Sequence, residues 1–137
     1  MWILVDTNVY IDYFLDREGS NIAEEFFVRC RKNKDKIFVT SMSLRDIEYA
    51  AHKHTHNKAI SKKILQYTYS LCNKVISITT DDAVNAIYSD ADDFEDRLIV
   101  EAAKREMINI IVTNNTKDFH NCGLPAWTPK EYLQYDV

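Results

Sequence analysis

The sequence predicts an α/β fold, an α/β/α sandwich around a central parallel sheet of four to five strands. Three observations indicate it: short apolar runs recur along the chain, helical apolar periodicity fills the intervals, and only 2 Gly and 2 Pro are present. Uninterrupted apolar runs are typical of strands buried on both faces. So little Gly and Pro supplies too few tight turns for an all-β sandwich. Because buried strands alternating with helices imply crossover connections, helices should cover both faces of the sheet.

The predicted strands are short apolar runs. They are residues 2–5, 37–39, 75–78 and 109–112, with a weaker fifth strand near 124–127. The first run ends at Asp6, and each of the next three is followed by a threonine. In parallel sheets of this kind ligands bind beyond the carboxyl ends of the strands, so the polar residues that follow these runs are candidate site residues.

Apolar residues at helical spacing predict the elements between the strands. After a short helix that follows Asp6, the successive stripes are Ile22, Phe26, Phe27 and Cys30; Leu44, Ile47 and Ala51; Ile60, Ile64, Tyr67 and Leu71; Val84, Ile87 and Tyr88; and Phe94, Leu98 and Ala102. A last helix is predicted after Thr128, with Pro129 at its first position and Glu131 completing a capping box. The predicted order is β-α-α-β-α-α-β-α-α-β-(β)-α.

Composition limits the functional classes. The chain has 137 residues, the size of a single domain, and we expect residues 1–137 to form one. A formal net charge of −4 argues against a protein that coats nucleic acid through a general positive field. The sequence lacks both an apolar run of the roughly 18 to 20 residues that span a bilayer and a signal-peptide pattern. We therefore expect a cytoplasmic protein without membrane contact.

Asp6 and Glu48 are the first two candidate carboxylates. Asp6 stands where a ligand-binding residue of a parallel sheet is expected, although an Asp-Thr-Asn sequence is also a good helix cap. Glu48 borders the apolar stripe of the helix after the second strand, which places its carboxylate at the rim of the core. The alternative is a solvated helix residue paired with Arg45 or His52.

Further acids open the helix that begins near residue 93. Asp93 can cap this helix, and Asp96 can bond a free amide of its first turn, which the helix dipole also favours. Successive helix positions are rotated by roughly 100°, so Glu95 and Asp96 cannot both point at the strand ends, and periodicity does not say which one does. After the fourth strand, residues 113–118 form either a polar loop with Asx turns or another part of the site.

Together these acids predict a metal site. Clustered carboxylates repel one another and become partly protonated unless a cation neutralises them. Oxygen-only ligands suit Mg²⁺ or Mn²⁺, which also bind phosphate oxygens and activate water. Helix capping explains each acid singly, but it does not explain why the acids follow strand ends or belong to helices expected to pack beside those ends.

At these residues the chain resembles the PIN-domain family of metal-dependent nucleases. The matching segments are Val5-Asp6-Thr7-Asn8-Val9, Glu48 on the helix after the second strand, residues 93–99 and residues 111–119. The resemblance extends over almost the whole chain, from about residue 2 to 133. No segment is decisive alone, but the ordered set at this spacing is specific, and it implies an α/β/α fold.

The resemblance implies a metal-dependent endoribonuclease that uses Mg²⁺ or Mn²⁺. Its metal ligands and catalytic residues would be Asp6, Glu48 and Asp96, which selects Asp96 over Glu95, together with Asn115 or the neighbouring Asp118. The supporting residues would be Asn8, Asp93 and Thr113. Asn8 would orient Asp6, and Thr113 would line the site. Family members carry a fourth acid where this chain has Asn115, and an amide contributes no negative charge. This departure leaves a catalytically inactive RNA-binding member as an alternative.

The resemblance also implies partners. Many bacterial and archaeal members are VapC-like toxins of toxin-antitoxin pairs, which cleave RNA and are silenced by a small antitoxin. Such toxins usually form homodimers. On this basis we expect an RNA substrate, an antitoxin protein and a second copy of the chain as partners.

Four lysines form the largest positive strip of the sequence. They are Lys53, Lys58, Lys62 and Lys63, within the Lys- and His-rich stretch 52–63. We expect this strip to hold RNA phosphates near the metals. The histidines of the same stretch are two positions apart, so on a helix they point in different directions and indicate a solvated helix end rather than a zinc site.

Two other α/β classes fit parts of the pattern. A phosphatase of the haloacid-dehalogenase type also has an Asp after its first strand, but it needs a second Asp two residues later, where this chain has Asn8. A phosphorylation-receiver domain, which is a signalling module, would need a phosphoacceptor Asp after the third strand. The residue available there is Asp81, which looks instead like a first-turn helix acid.

Overall fold

A parallel sheet of five strands forms the centre of the chain. The computed structural model describes residues 1–135. The strands are β1 Trp2–Val5, β2 Lys36–Thr40, β3 Lys74–Ile76, β4 Ile110–Val112 and β5 Ala126–Trp127. Their order across the sheet is β3-β2-β1-β4-β5, and every pairing is parallel. The predicted parallel sheet is confirmed, and the weak fifth strand belongs to it.

Helices connect the strands and cover both faces of the sheet. They are α1 Thr7–Phe14, α2 Ser20–Asn33, α3 Ser41–Thr55, α4 Lys58–Leu71, α5 Thr80–Ile87, α6 Phe94–Arg105 and α7 Pro129–Tyr135, and a 3₁₀ turn occupies Thr116–Phe119. Their order is the predicted one, with the 3₁₀ turn added between β4 and β5. Within residues 1–135, the structure has no helix of the length and apolarity needed to cross a bilayer.

Two hydrophobic cores lie on opposite faces of the sheet. Along β1, Ile3 and Val5 belong to one core and Leu4 to the other, and all three are buried. Helices α1, α2, α3, α4 and α7 contribute to the first core, whereas α6 covers the second and α5 packs against α6. Burial on both faces explains why this strand is an uninterrupted apolar run. The carboxyl end of the strand is then the first place where a polar residue can stand.

Strand β3 ends earlier than predicted, at Ile76 rather than at residue 78. The carbonyl of Ser77 accepts a hydrogen bond of 2.6 Å from the guanidinium of Arg105. Thr79 then caps α5 and forms a capping box with Asp82. Polar interactions of Ser77 and Thr79 therefore end the strand at Ile76, although the apolar run in the sequence continues to residue 78.

Candidate metal centre

Asp6 lies at the carboxyl end of the central strand and also begins the first helix. Its backbone is extended, and its Oδ1 accepts a hydrogen bond of 2.8 Å from the backbone amide of Thr7. The backbone amide of Asp6 itself donates to the carbonyl of Val112 on the neighbouring strand β4, at 2.9 Å. Asp6 therefore caps α1 with one oxygen, while its other oxygen lies at the strand edge, where a ligand-binding role stays a prediction.

The second oxygen of Asp6 is held by two polar side chains. Thr113 Oγ1 donates to Asp6 Oδ2 at 2.8 Å, and Asn8 Nδ2 donates to the same oxygen at 3.2 Å. Asn8 Nδ2 also lies 3.3 Å from Thr113 Oγ1, and Thr113 is fully buried. The structure thus places Asn8 against Asp6 and Thr113 beside it, as expected.

The loop after β4 is fastened to α1 by Asn114, a residue for which the sequence suggested no role. The backbone amide of Asn114 donates to Asn8 Oδ1 at 3.0 Å, and Asn114 Nδ2 donates to Asp12 Oδ2 at 2.7 Å. The backbone amide of Asn115 donates to Thr113 Oγ1 at 3.1 Å. These bonds fix where the following 3₁₀ turn begins, and with it the direction of Asp118.

Asp96 lies in the first turn of α6, which Asp93 caps by accepting a hydrogen bond of 2.8 Å from the Asp96 backbone amide. Burial raises the pKa of Asp96 to about 7, and the negative charges of Asp93, Asp118, Asp6 and Glu95 add to this effect. An ordinary Asp has a pKa of 3.8. Burial, and after it the like charges of these four carboxylates, account for the raised pKa of Asp96.

Asp118 is the acid that the loop after β4 contributes. Burial raises the pKa of Asp6 despite the hydrogen bond from Thr113, and the charge of Asp118 raises this pKa further. The same charge acts on Asp96. Asn115 is exposed and immediately precedes the 3₁₀ turn. Of the two alternatives left by the sequence, the structure therefore places the carboxylate of Asp118 near both Asp6 and Asp96.

Helix α3 presents Asp46, and not Glu48, to these acids. Burial raises the pKa of Glu95, and a hydrogen bond to the Asp46 side chain together with the charge of Asp46 raises it further. The charge of Asp6 also reaches Glu95. Asp46 and Glu95 are thus members of the acid cluster that sequence reasoning did not select.

Glu48 lies two positions after Asp46, which rotates it by roughly 200° around α3. There it lines an open, largely apolar groove with Leu65 and Tyr69 of α4. The structure therefore does not bring Glu48 to Asp6 and Asp96. The apolar pattern of α3 gave no signal for Asp46, because the helix face that includes the buried Ser43 is not apolar in sequence.

The acid cluster is suited to a divalent cation by its chemistry. Within residues 1–135, no three His, Cys, Asp or Glu side chains are grouped closely enough to hold a metal ion as they stand. The donors are nevertheless all carboxylate oxygens, which hard cations such as Mg²⁺ and Mn²⁺ prefer. The raised pKa values of Asp6, Glu95 and Asp96 also indicate negative charge that a cation would neutralise. The residues present fit such an ion.

A family comparison places this arrangement among known proteins. A family model described as PIN domain matches residues 2–117. The chain belongs to the PIN-domain family. This assignment confirms the resemblance of the sequence and leaves the receiver and phosphatase classes without support.

Solved structures share the fold of this PIN domain at low sequence identity. VapBC2 from Rickettsia felis, bound to a promoter DNA fragment, matches with a TM-score of 0.70 and 18% identity, covering 93% of this chain and 98% of the other. A toxin-antitoxin complex from Klebsiella pneumoniae matches with a TM-score of 0.68 and 24% identity, covering 93% of this chain and 97% of the other. Mycobacterium tuberculosis VapC20, a toxin that cleaves the sarcin-ricin loop, matches with a TM-score of 0.68 and 14% identity. This match covers 89% of this chain and 95% of the other. Among proteins with curated descriptions, none matches this PIN domain significantly.

The lysine strip lies on the α3–α4 pair. Lys53 follows Asp46 by seven positions on α3, which corresponds to roughly 10 Å along the helix axis. Lys58, Lys62 and Lys63 are exposed on α4, and Lys62 lines the groove that contains Glu48. A different cleft, of about 740 Å³, is lined by the acids of α6 and the 3₁₀ turn. None of the four lysines lines that cleft in the part of the chain that the structure describes.

Proposed function

We propose that this PIN domain is a divalent-metal-dependent endoribonuclease and the toxin of a toxin-antitoxin pair. The observation that carries the proposal is the convergence of Asp6, Asp96 and Asp118 from three separate segments at the carboxyl edge of the sheet. Burial raises the pKa of Asp6 and of Asp96, the charge of Asp118 raises both further, and the charge of Asp6 also raises the pKa of Asp96, so negative charge is concentrated at this edge. Family membership supports a nuclease rather than another use of such a cluster.

In the proposed site, Asp6, Asp96 and Asp118 hold Mg²⁺ or Mn²⁺, and Asp46 takes the place that the family resemblance gave to Glu48. Such an ion would bind the scissile phosphate and lower the pKa of a bound water, so that the water can attack phosphorus. Asn115 belongs to the site through its backbone contact with Thr113, while Asp118 supplies the charge that the amide lacks.

The protein's own groups prepare the site in two ways. Thr113 and Asn8 fix the Asp6 carboxylate by donating to the same oxygen, so that oxygen is already oriented toward the strand edge. Asp93 holds the first turn of α6 in place and so sets the position of Asp96. Burial raises the pKa of Glu95 and the charge of Asp46 raises it further, so a cation bound here would relieve repulsion between these two acids.

The partners in this proposal are RNA, an antitoxin and a second copy of the chain. The antitoxin is supported by structural neighbours that are themselves toxin-antitoxin complexes. RNA is supported by a neighbour that cleaves the sarcin-ricin loop. The homodimer follows from the family resemblance and is tested by the mass of the purified protein in solution.

The decisive experiment measures cleavage of labelled single-stranded RNA by the full chain. We expect cleavage with Mg²⁺ or Mn²⁺, none with EDTA, and a loss of at least about 100-fold in the Asp6→Asn and Asp96→Asn variants. Asp81→Asn, which removes an exposed acid of α5 outside the cluster, is the matched control and should keep full activity. Melting curves establish that each variant is folded.

Two outcomes would overturn the proposal. Full cleavage by folded Asp6→Asn and Asp96→Asn variants would place the chemistry elsewhere in the molecule. RNA binding without any cleavage in either metal would identify an inactive RNA-binding member of the family.

A further inference from the structure

Two acids of the proposed site, Asp96 and Asp118, line a cleft that Lys117 and His120 also line. The cleft has a volume of about 740 Å³ and lies between residues 88–93 on one side and 117–122 on the other. A second cleft of about 590 Å³ adjoins it over Phe119, Leu124 and Ala126. Lys117, His120 and Asn121 line both clefts. We refer to Lys117 and His120, which separate the two clefts, as the Lys117–His120 ridge.

The geometry of the 3₁₀ turn produces this ridge. In a 3₁₀ helix, side chains three positions apart eclipse one another, so Lys117 and His120 are expected on the same side. The backbone amide of His120 donates to the carbonyl of Lys117 at 3.2 Å, which closes that turn. Asp118 is rotated by about 120° from Lys117. One short turn therefore brings Asp118 near Asp6 and Asp96 and presents Lys117 and His120, which can bind phosphate, on another side of the turn.

Both groups of the ridge are available to a ligand. Lys117 and His120 are exposed, and within residues 1–135 neither side chain has an ion pair or a hydrogen bond. Arg97, the other cation of the first cleft, is engaged by Glu101 at 2.8 Å. A free ammonium group and an imidazole can both donate to phosphate oxygens.

The charge of the first cleft makes such groups necessary for a nucleic-acid ligand. Five carboxylates line it: Asp90, Asp92, Asp93, Asp96 and Asp118. A bound cation offsets part of this charge only where the scissile phosphate lies. The next phosphate of the strand would meet uncompensated carboxylates unless it lay on the ridge, where Lys117 neutralises it.

We propose that the Lys117–His120 ridge binds the phosphate next to the scissile one, so that single-stranded RNA passes from the first cleft over the ridge into the second. This inference rests on the proposed ribonuclease function. It assigns the main RNA contact to a loop beside the acids rather than to the lysine strip of α3 and α4.

The test compares three variants of the full chain that remove positive charge. Lys117→Ala/His120→Ala removes the ridge, Lys58→Ala/Lys62→Ala removes part of the lysine strip, and Lys32→Ala is the matched control. Lys32 is exposed in the last turn of α2. This helix leads into the start of β2, so Lys32 lies near the amino ends of the strands, opposite the carboxyl ends where the acids lie. Fluorescence anisotropy with a labelled single-stranded hexanucleotide, in Ca²⁺ to suppress cleavage, measures the affinity and its salt dependence.

We expect the ridge variant to bind the hexanucleotide about 5- to 20-fold more weakly, with a salt slope reduced by about 0.7 to 1. The control should bind like the wild type. In Mg²⁺, kcat/KM for the hexanucleotide should fall in the ridge variant, whereas cleavage of a dinucleotide should not, because it has only one phosphodiester. This length dependence is not expected from a merely structural defect.

Unchanged affinity and salt slope in the ridge variant, while the wild type binds and cleaves RNA, would overturn the inference and leave the nuclease intact. A loss confined to the Lys58→Ala/Lys62→Ala variant would overturn it in favour of the α3–α4 strip. Wild-type protein that neither binds nor cleaves RNA would overturn the proposed function itself.

Discussion

The hydroxyl of Thr113 donates a hydrogen bond of 2.8 Å to Oδ2 of Asp6, although the two residues are 107 positions apart in the sequence. They meet because Val5 pairs with Val112 in adjacent parallel strands, so the residue that follows each strand reaches the same edge. The register of the β1–β4 pair therefore sets the geometry of the candidate metal centre. Removing this hydrogen bond should affect the site without changing the sheet.

Thr113→Val tests that relationship, because it replaces the hydroxyl by a methyl group of similar size. Asp6 would keep only Asn8 as a side-chain donor, so we expect its orientation to loosen and kcat/KM to fall about 10-fold or more. The free energy of unfolding should fall by about 1 kcal/mol. RNA-cleavage kinetics and denaturant unfolding measure the two effects. Thr113→Ser keeps the hydroxyl and should retain most activity, whereas equal activity in Thr113→Val and wild type would contradict the assigned role.

Asp46→Asn and Glu48→Gln distinguish the two acids of α3. We expect Asp46→Asn to lower kcat/KM by about 10- to 100-fold, because it removes a carboxylate from the cluster around Glu95 and Asp96. Glu48→Gln should have little effect, since Glu48 lines the groove with α4. Each substitution exchanges a carboxylate for an amide on the same helix, so each is the control for the other. A larger fall in kcat/KM for Glu48→Gln than for Asp46→Asn would show that Glu48, and not Asp46, belongs to the site.

Addition of Mg²⁺ or Mn²⁺ should stabilise the fold. Carboxylates that repel one another in the native state gain a counter-ion when the metal binds, and the free energy of unfolding rises by RT ln(1 + [L]/Kd), about 2.7 kcal/mol at 100 times Kd. Thermal melting with increasing metal, reversed by EDTA, measures this. The rise should be absent in a double Asp6→Asn/Asp96→Asn variant, and a rise that persists there would locate the metal elsewhere.

The Asp82–Arg105 ion pair should contribute stability that depends on pH. Burial of Asp82 opposes ionisation, but hydrogen bonds from Arg105 and Thr79 outweigh it and hold the pKa of Asp82 below its ordinary value of 3.8. The native state thus binds fewer protons at this group than the unfolded state. The contribution is fully present above about pH 4 and is lost as the pH falls through the native pKa.

Asp82→Ala tests this contribution. The substitution should lower the free energy of unfolding by about 2 kcal/mol at pH 7, since the carboxylate is buried and accepts hydrogen bonds from the Arg105 guanidinium at 3.1 and 3.2 Å. Denaturant unfolding from pH 7 to 2.5 should show this difference shrinking below pH 4. A difference independent of pH would mean that packing, and not the ion pair, is responsible.

The fold was largely predictable from the sequence because its strands are buried on both faces. Such strands are uninterrupted apolar runs, and their ends coincide with the first polar residues, which is how Asp6 and Thr113 were found. The boundary of β3 was not predictable, since it depends on an Arg105 guanidinium that takes the Ser77 carbonyl. Pairing of a side chain with a distant backbone group leaves no periodic signal.

The place of Asp46 in the acid cluster was not predictable from the sequence for a similar reason. The apolar stripe read from the sequence begins at Leu44, and Glu48 lies on the same side four positions later. The residues most buried on this part of the helix are instead Ser43, Ile47 and Ala51. A buried serine is invisible to an apolar pattern, so the sequence places the buried face of α3 nearer to Glu48 than the structure does.

The 3₁₀ turn between β4 and β5 places opposite charges on successive residues, with Lys117 facing one way and Asp118 another. Surface loops usually accept insertions and deletions. Here a single added or missing residue before the turn would rotate it by about 120° and move one of the two charges into the direction of the other. Relatives that keep both functions should therefore vary more in the composition of this loop than in its length, and a length change should mark divergence of the substrate.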